Sequence, residues 1–279
     1  MRAPVYLLLA VIVLLAGCLD LGGTPERTLD ALVDVAPASS TAVGYLKTEK
    51  AGDIARIIGE GQPEGGFLLL EYMTDGIGFI IPYANAPPVM VVDGVGLGIL
   101  PKLQEKLEGI DTRKTERKPM VPEKKVGGLT IQTIDNRSFL NYGGKLFIGE
   151  EGELVQIADA INGGKTAESK FYPVMADLPA GDAEAVFDAN VTVGISARIE
   201  GNTSHAQMLI KPKDPVSKEL VREGARRMRI DGVNVSSVSE VKDLVSVELA
   251  VDLPVFVAYV QGRENFTDTL LEGYLNPAA

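Results

Sequence analysis

Few residues in this chain are of types that carry chemistry. There is one cysteine, Cys18, one histidine, His205, and no tryptophan. A lone histidine gives a Ser-His-Asp arrangement a single place to stand, and His205 lies beside a turn in IEGNTSH, where it reads as a surface or strand histidine. Ser239 and Lys242 have the S-x-x-K spacing of serine acyl enzymes, but they sit in a strand-like run without the S-D-N or K-T-G that accompany it. GGKT at 163–166 would be a phosphate loop only with glycine where Asp159 stands and with a helix after it, whereas here it ends one. GVGLG at 94–98 has Ile99 where a dinucleotide loop needs its third glycine. Glu150, Glu151 and Glu153 stand near a helix start. A pair of carboxylates at the right separation cleaves glycosides, but in a first turn they stabilise the helix through its macrodipole. No D-x-[DN]-x-[DN]-G calcium loop occurs. We therefore expect no enzyme, no catalytic residue, no metal and no cofactor, and keep a hydrolase with a hidden carboxylate or serine site as the third reading.

Cys18 ends an apolar run, LLAGCLD, and one cysteine can form neither an internal disulfide nor a cysteine-cluster metal site. MRAPVYLLLAVIVLLAGC has a positive charge at Arg2, an apolar stretch from Val5 to Leu15, and small residues at Ala16 and Gly17. This is the layout of a secretory signal peptide, with an apolar core short for a permanent span. Leu15, Ala16, Gly17 and Cys18 resemble the lipobox of prokaryotic lipoproteins, in which the cysteine is lipidated and the leader before it removed. That resemblance implies a signal peptide at 1–17, a lipidated cysteine and short tether at 18–26, and a folded body at 27–275 on the outer face of the cytoplasmic membrane. The eight-residue tether LDLGGTPE reaches under about 30 Å, which keeps the body close to the bilayer.

Five of the nine asparagines begin N-x-S/T: Asn136, Asn190, Asn202, Asn234 and Asn265. Chance would give roughly one, so the set points to N-glycosylation. A lipobox together with many sequons resembles an archaeal surface lipoprotein. Asn202 lies between the strand-like runs ISARIE and HAQMLI, which predicts an exposed hairpin tip. The formal charge of −11 makes the chain a poor match for a phosphate backbone, so no nucleic-acid partner is expected. The expected partner is the membrane, through the lipid on Cys18, with any protein or ligand partner unknown.

The elements that must carry these residues read as alternating strands and short helices. Thr24 and Pro25 open a helix bearing Leu29, Leu32, Val33 and Ala36, ended by Pro37. STAVGYLK is strand-like, Asp53 caps a short helix, and GFLLLEYM and IGFIIPY flank a hairpin signal at 74–76. PPVMVVDG reads as a strand and ILPKLQEKLEG as a helix. RKTERKPMVPEKK, 113–125, reads as a solvated loop that could meet anionic head groups. GLTIQTI, SFLNY and KLFIG form a meander, and ELVQIADAINGG a helix stopped at Gly163. A short helix ending at LPA, a long strand from Glu184, a helix from Asp214 to Met228, the strands VSSVSEV and LVSVELAVDL, and an apolar run at 256–260 complete the body. Phe266, Leu270, Leu271 and Tyr274 would line a last short helix.

LVDVAPASSTAVGY (32–45) and VMADLPAGDAEAVF (174–187) align without gaps, matching Pro37 with Pro179, Ala38 with Ala180 and Tyr45 with Phe187, which suggests related halves at 27–165 and 166–275. The expected fold is α+β, an antiparallel sheet with helices packed on one face. KLFIGEEGELVQIADAINGGK, a short helix and LPAGDAEAVFDAN resemble, over 126–190, a group of exported bacterial and archaeal proteins sharing a domain of unknown function. That resemblance implies export and supplies no activity or site residue. Together these features predict a lipid-anchored, N-glycosylated surface protein with a non-catalytic structural or interaction role. The second reading is a lipid- or solute-binding lipoprotein.

Overall fold

A computed structural model of the chain describes residues 28–47, 76–94, 122–134, 137–189, 191–212 and 214–261. In chain order the elements are α1 (Thr28–Val33), β1 (Ala42–Lys47), β2 (Gly76–Ile81), β3 (Val89–Asp93), β4 (Glu123–Val126), β5 (Leu129–Ile134), β6 (Arg137–Tyr142), β7 (Lys145–Gly149), α2 (Glu151–Ile161) and α3 (Glu168–Met175). They continue with β8 (Ala183–Asp188), β9 (Thr192–Glu200), β10 (Thr203–Lys211), α4 (Pro215–Arg227), β11 (Val233–Val241), β12 (Leu244–Asp252) and α5 (Leu253–Gln261). The twelve strands form one antiparallel sheet in the order β11-β12-β10-β9-β8-β1-β2-β3-β7-β6-β5-β4.

Helices cover both faces of this sheet, in place of the single face expected. Val43 and Tyr45 of β1, Ile80, Phe147 and Val186 are buried together with Leu32 of α1, Leu154 of α2 and Phe171 of α3. Alternation sends Leu46 of β1 to the opposite face, where it joins Ala197, Ile199 and the α5 residues Leu253 and Phe256. On that same face Val221 and Ala225 of α4 pack with Ile210, Val245 and Val247. The reason lies in the burial of the strands: β1 is buried at five successive positions, and β12 opens with four. Strands apolar on both sides require a layer on each.

The sheet grows outward from its central pair, β1 and β8, in which Gly44 lies opposite Ala185. From there the order is β1-β2-β3-β7-β6 one way and β8-β9-β10-β12-β11 the other, with the β5–β4 hairpin added beyond β6. The helices before the central strands bury matching positions: Leu29, Leu32, Val33 and Ala36 answer to Phe171, Val174, Met175 and Leu178. β1 at 42–47 answers to β8 at 183–188, so the link from helix to strand is one residue shorter the second time. The gapless match therefore holds through the helices and slips in the strands. Tyr45 faces α1, while Phe187 follows the core residue Val186 and points to the other face, because a slip of one residue inverts a strand. Each helix also rests on a glycine of the second strand. A Cβ on Gly78 of β2 would lie 2.6 Å from Leu32 Cδ1, and one on Gly194 of β9 would lie 3.3 Å from Val174 Cβ.

Two further expectations change. Glu123, Lys124 and Lys125, assigned to the charged loop, form strand β4 against β5, at the end of the sheet among the described residues. The long strand from Glu184 is two strands, turned where Ala189 N–H donates to Val191 C=O. IGFIIPY supplies β2, which pairs with β1 on one side and β3 on the other. GFLLLEYM itself lies outside the described residues, as do the Asp53 helix, ILPKLQEKLEG and the helix placed at 266–274. The meander is formed as read, with Gly143 and Gly144 both at positive φ (58° and 77°) in the two-residue turn from β6 to β7.

Candidate functional site: an edge-strand groove and a polar sheet face

α4 begins after Asp214, whose Oδ1 accepts the Ser217 N–H at 2.9 Å as a helix cap. Its apolar stripe seats it on the sheet, and its polar side clasps β11, the last strand at this end among the described residues. Lys218 Nζ and Arg222 Nη1 reach the Glu240 carboxylate at 2.7 and 2.9 Å. The hydrogen bond from Lys218, helped by the charges of Lys218 and Arg222, holds that carboxyl below the usual carboxylate range. Where α4 ends, Arg226, Met228 and Arg229 rise beside residues 233–238 of β11, and together they line a groove of about 490 Å³. The register of β11 against β12 shifts between Val235 and Ser237, leaving Ser236 as a bulge without a Cα partner on β12.

The face of β8 to β11 that carries α3 is polar beyond that helix. Glu184, Ser196, Gln207, Glu248 and Ser237 stand in register across β8, β9, β10, β12 and β11. Gln207 Nε2 donates to Ser246 Oγ at 3.0 Å, and the buried Glu184 accepts the Gly181 N–H at 2.7 Å. The next row holds Arg198, His205, Ala250 and Asn234, with Arg198, His205 and Asn234 exposed. Nearby, Lys47 Nζ meets the buried Asp182 at 3.1 Å. This surface offers hydrogen-bond donors and acceptors in a fixed array. Ser204, next to His205, points through the sheet to the opposite face and is fully buried, so it does not share this surface with the imidazole. Among the described residues, no group of His, Cys, Asp and Glu is placed to hold a metal ion.

The residues singled out by sequence fall as follows. Asn202 is exposed in the two-residue turn from β9 to β10, at the predicted tip, and its carbonyl accepts the Leu253 N–H that opens α5. Asn234 is exposed on β11. Cys18, Asn136, Asn190 and Asn265 lie outside the described residues. Ser239 is exposed on β11, and Lys242, at the turn after it, pairs with Asp177 across the sheet end, so the two do not form an acylation pair. Lys165 and Thr166 follow a helix end in which Gly163 has φ 96°. Glu150 precedes α2 without capping it, Glu151 pairs with Lys124 at 2.6 Å, and Glu153 is buried with Oε1 accepting from the Tyr83 hydroxyl at 2.8 Å. The Glu153 bond and charge raise the Tyr83 hydroxyl above its usual pKa. Sequence reasoning missed two features. The groove had a signal, four arginines within 222–229 of an acidic chain. The Tyr83–Glu153 contact had none, because its partners are 70 residues apart.

The fold is thus an α+β body on one long antiparallel sheet, in which β11 is the last strand at one end among the described residues, beside an arginine-rich helix end. No protein-family model and no curated protein matches the sequence. Among solved structures, crystal form III of TP0453 superposes with a TM-score of 0.51 at 7% identity, covering 83% of this chain and 98% of that chain. Crystal form IV gives 0.49 at 8% identity over 81% of this chain and 94% of that chain. At such identity the likeness is one of fold alone.

Proposed function

We propose that this chain is a lipid-anchored, N-glycosylated surface protein of an archaeal cell, held at the outer face of the cytoplasmic membrane through Cys18, with a structural or interaction role rather than a catalytic one. The observation that carries the reading is the run of small residues before Cys18, set behind an apolar core. The exposure of Asn202 and Asn234, both accessible to a glycosyltransferase, supports it. The resemblance of 126–190 to an exported group points the same way. Matching helices, matching strand order and the glycines at 78 and 194 support the reading of two related halves flanking the β1–β8 pair.

Intact-mass measurement on protein extracted from its own membrane tests this directly. The expected mass begins at Cys18 with added acyl chains and carries glycan mass that falls in an Asn202→Gln variant. A Cys18→Ser variant should be released from the membrane, and finding it still tightly bound would overturn the anchor. The second reading, a solute-binding lipoprotein, draws on the polar rows across β8 to β11. It predicts a thermal shift with a polar solute that Gln207→Ala abolishes.

A further inference from the structure

Two sequon asparagines, Asn202 and Asn234, are among the described residues, and they stand differently. Asn202 lies in the turn from β9 to β10, beyond the last paired row of those strands. Asn234 lies within β11, and the third residue of its sequon, Ser236, is the exposed bulge. Residues directly opposite one another share a face, so Asn234 heads a row that continues through Ala250 of β12, His205 of β10 and Arg198 of β9. Three strand intervals of about 4.8 Å place Arg198 roughly 14 Å from Asn234, a distance that a short chain of sugars spans.

This row and its neighbour are furnished for sugar hydroxyls. Ala250, the smallest side chain of the row, leaves a low point beside Asn234, and His205 and Arg198 stand exposed beyond it. Alongside run Ser237, the exposed Glu248 and Gln207, whose amide is held by its bond to Ser246. A hydroxyl both donates and accepts, and here Arg198 donates, Glu248 accepts, and His205 and Gln207 do either. Such bonds compete with water and give a free sugar little, and the chain has no tryptophan to stack one. A sugar chain already joined to the end of the row binds within one molecule, at a high effective concentration.

We infer that the polar face of β9 to β12 is the bed of the chain's own glycan: an N-linked sugar chain on Asn234 lies across Ala250, His205 and Arg198, held there by hydrogen bonds to Arg198 and Glu248. The inference rests on the N-glycosylation proposed above and adds where one glycan goes. It takes the polar rows away from the solute of the second reading. A glycan on Asn202 leaves instead from the turn, past the end of the rows.

His205 is the only histidine of the chain, so its carbethoxylation by diethyl pyrocarbonate reads the bed at a single ring. The rate is followed by peptide mass at about pH 8, where imidazole is neutral. The protein is the full chain extracted from its own membrane, and occupancy of Asn234 is read from the same spectra. Reaction requires the glycan to leave its bed, so protein occupied at Asn234 should react at His205 at least about fivefold more slowly than Ser236→Ala, which loses the sequon and keeps Asn234. Asn202→Gln should react like the parent. Arg198→Ala and Glu248→Ala should each bring the ratio between occupied and sequon-free forms down to about twofold or less. Both side chains are exposed, so unchanged thermal melts should accompany these shifts. An unoccupied Asn234 overturns the inference, together with the glycosylation reading if the other sequons are bare as well. An occupied Asn234 with His205 equally reactive in the two forms overturns the inference and leaves that reading intact. So does protection that survives both substitutions, or millimolar glucose shielding the Ser236→Ala form as well as the glycan shields the parent.

Discussion

The helix over β2 and the helix over β9 solve the same packing problem with different clearance. α1 presses Leu32 so close to Gly78 that an added methyl would overlap it, whereas α3 leaves Val174 3.3 Å from the corresponding position on Gly194, a tight approach that a shift of a few tenths of an ångström relieves. The second helix carries Phe171 where the first carries Leu29, and both side chains are fully buried. The bulkier side chain goes with the looser seat. Equivalent placement therefore does not mean equivalent tolerance, and the two halves can be told apart by how they fail.

The largest effect should come from emptying the matched core positions. Phe171→Ala is expected to cost about 4 kcal/mol and Leu29→Ala about 3 kcal/mol, because each removes a buried side chain and leaves a cavity. Urea unfolding measures both, and a cost under about 1 kcal/mol at either site would break the equivalence. Next come the glycines. Gly78→Ala should destabilise by about 2 kcal/mol through overpacking against Leu32. Gly194→Ala should stay within about 1 kcal/mol of the parent, since its neighbours need to give only slightly and alanine restricts the unfolded chain. A reversed ranking would show that the two helices are seated otherwise.

Smaller effects appear as pH dependence. The hydroxyl of Tyr83 is raised above its ordinary pKa of 10.0 by its bond to Glu153, so folding favours the protonated form. Its contribution is intact below pH 10 and is lost as the pH rises through the raised folded value. Alkaline denaturation should therefore be steeper in the parent than in Tyr83→Phe, with the two curves converging at high pH. The smallest effect lies in the other half. Glu240 is held below its ordinary 4.5 by Lys218 and Arg222, so its contribution is present above that value and fades as the pH falls through the lowered one. In a Lys218→Met variant, acid melting curves should lose a small part of their slope below pH 4.5.

Sequence periodicity located the meander, α2, α4 and the Asn202 turn, because each is built from neighbours along the chain. ELVQIADAI declares its buried face through Leu154, Ile157 and Ala158, and the turn is fixed by the register of β9 against β10 alone. The second helical layer was not legible, because a strand buried on both sides looks like any apolar run until its neighbours are known. β4 was hidden by its own charges: lysines that suggest a loop are also what an edge strand carries. The groove needed the end of α4 to be set against β11, and no local pattern encodes that meeting. The echo of 32–45 in 174–187 was legible, but its register in the strand was not, since one residue lost from a turn inverts the faces after it.

The pairing at the centre of the sheet also bears on how the molecule comes into being. Lys47 and Asp182 meet across a separation of 135 residues, and β1 has a flanking strand on each side only once β8 has been made. A chain synthesised from its N-terminus must therefore hold one half of its sheet with an unpaired inner edge until the other half emerges. Closure of so long a loop is paid in entropy before any contact rewards it, which places this topology among the slow folders. That waiting edge is where the nascent protein is exposed to mispairing.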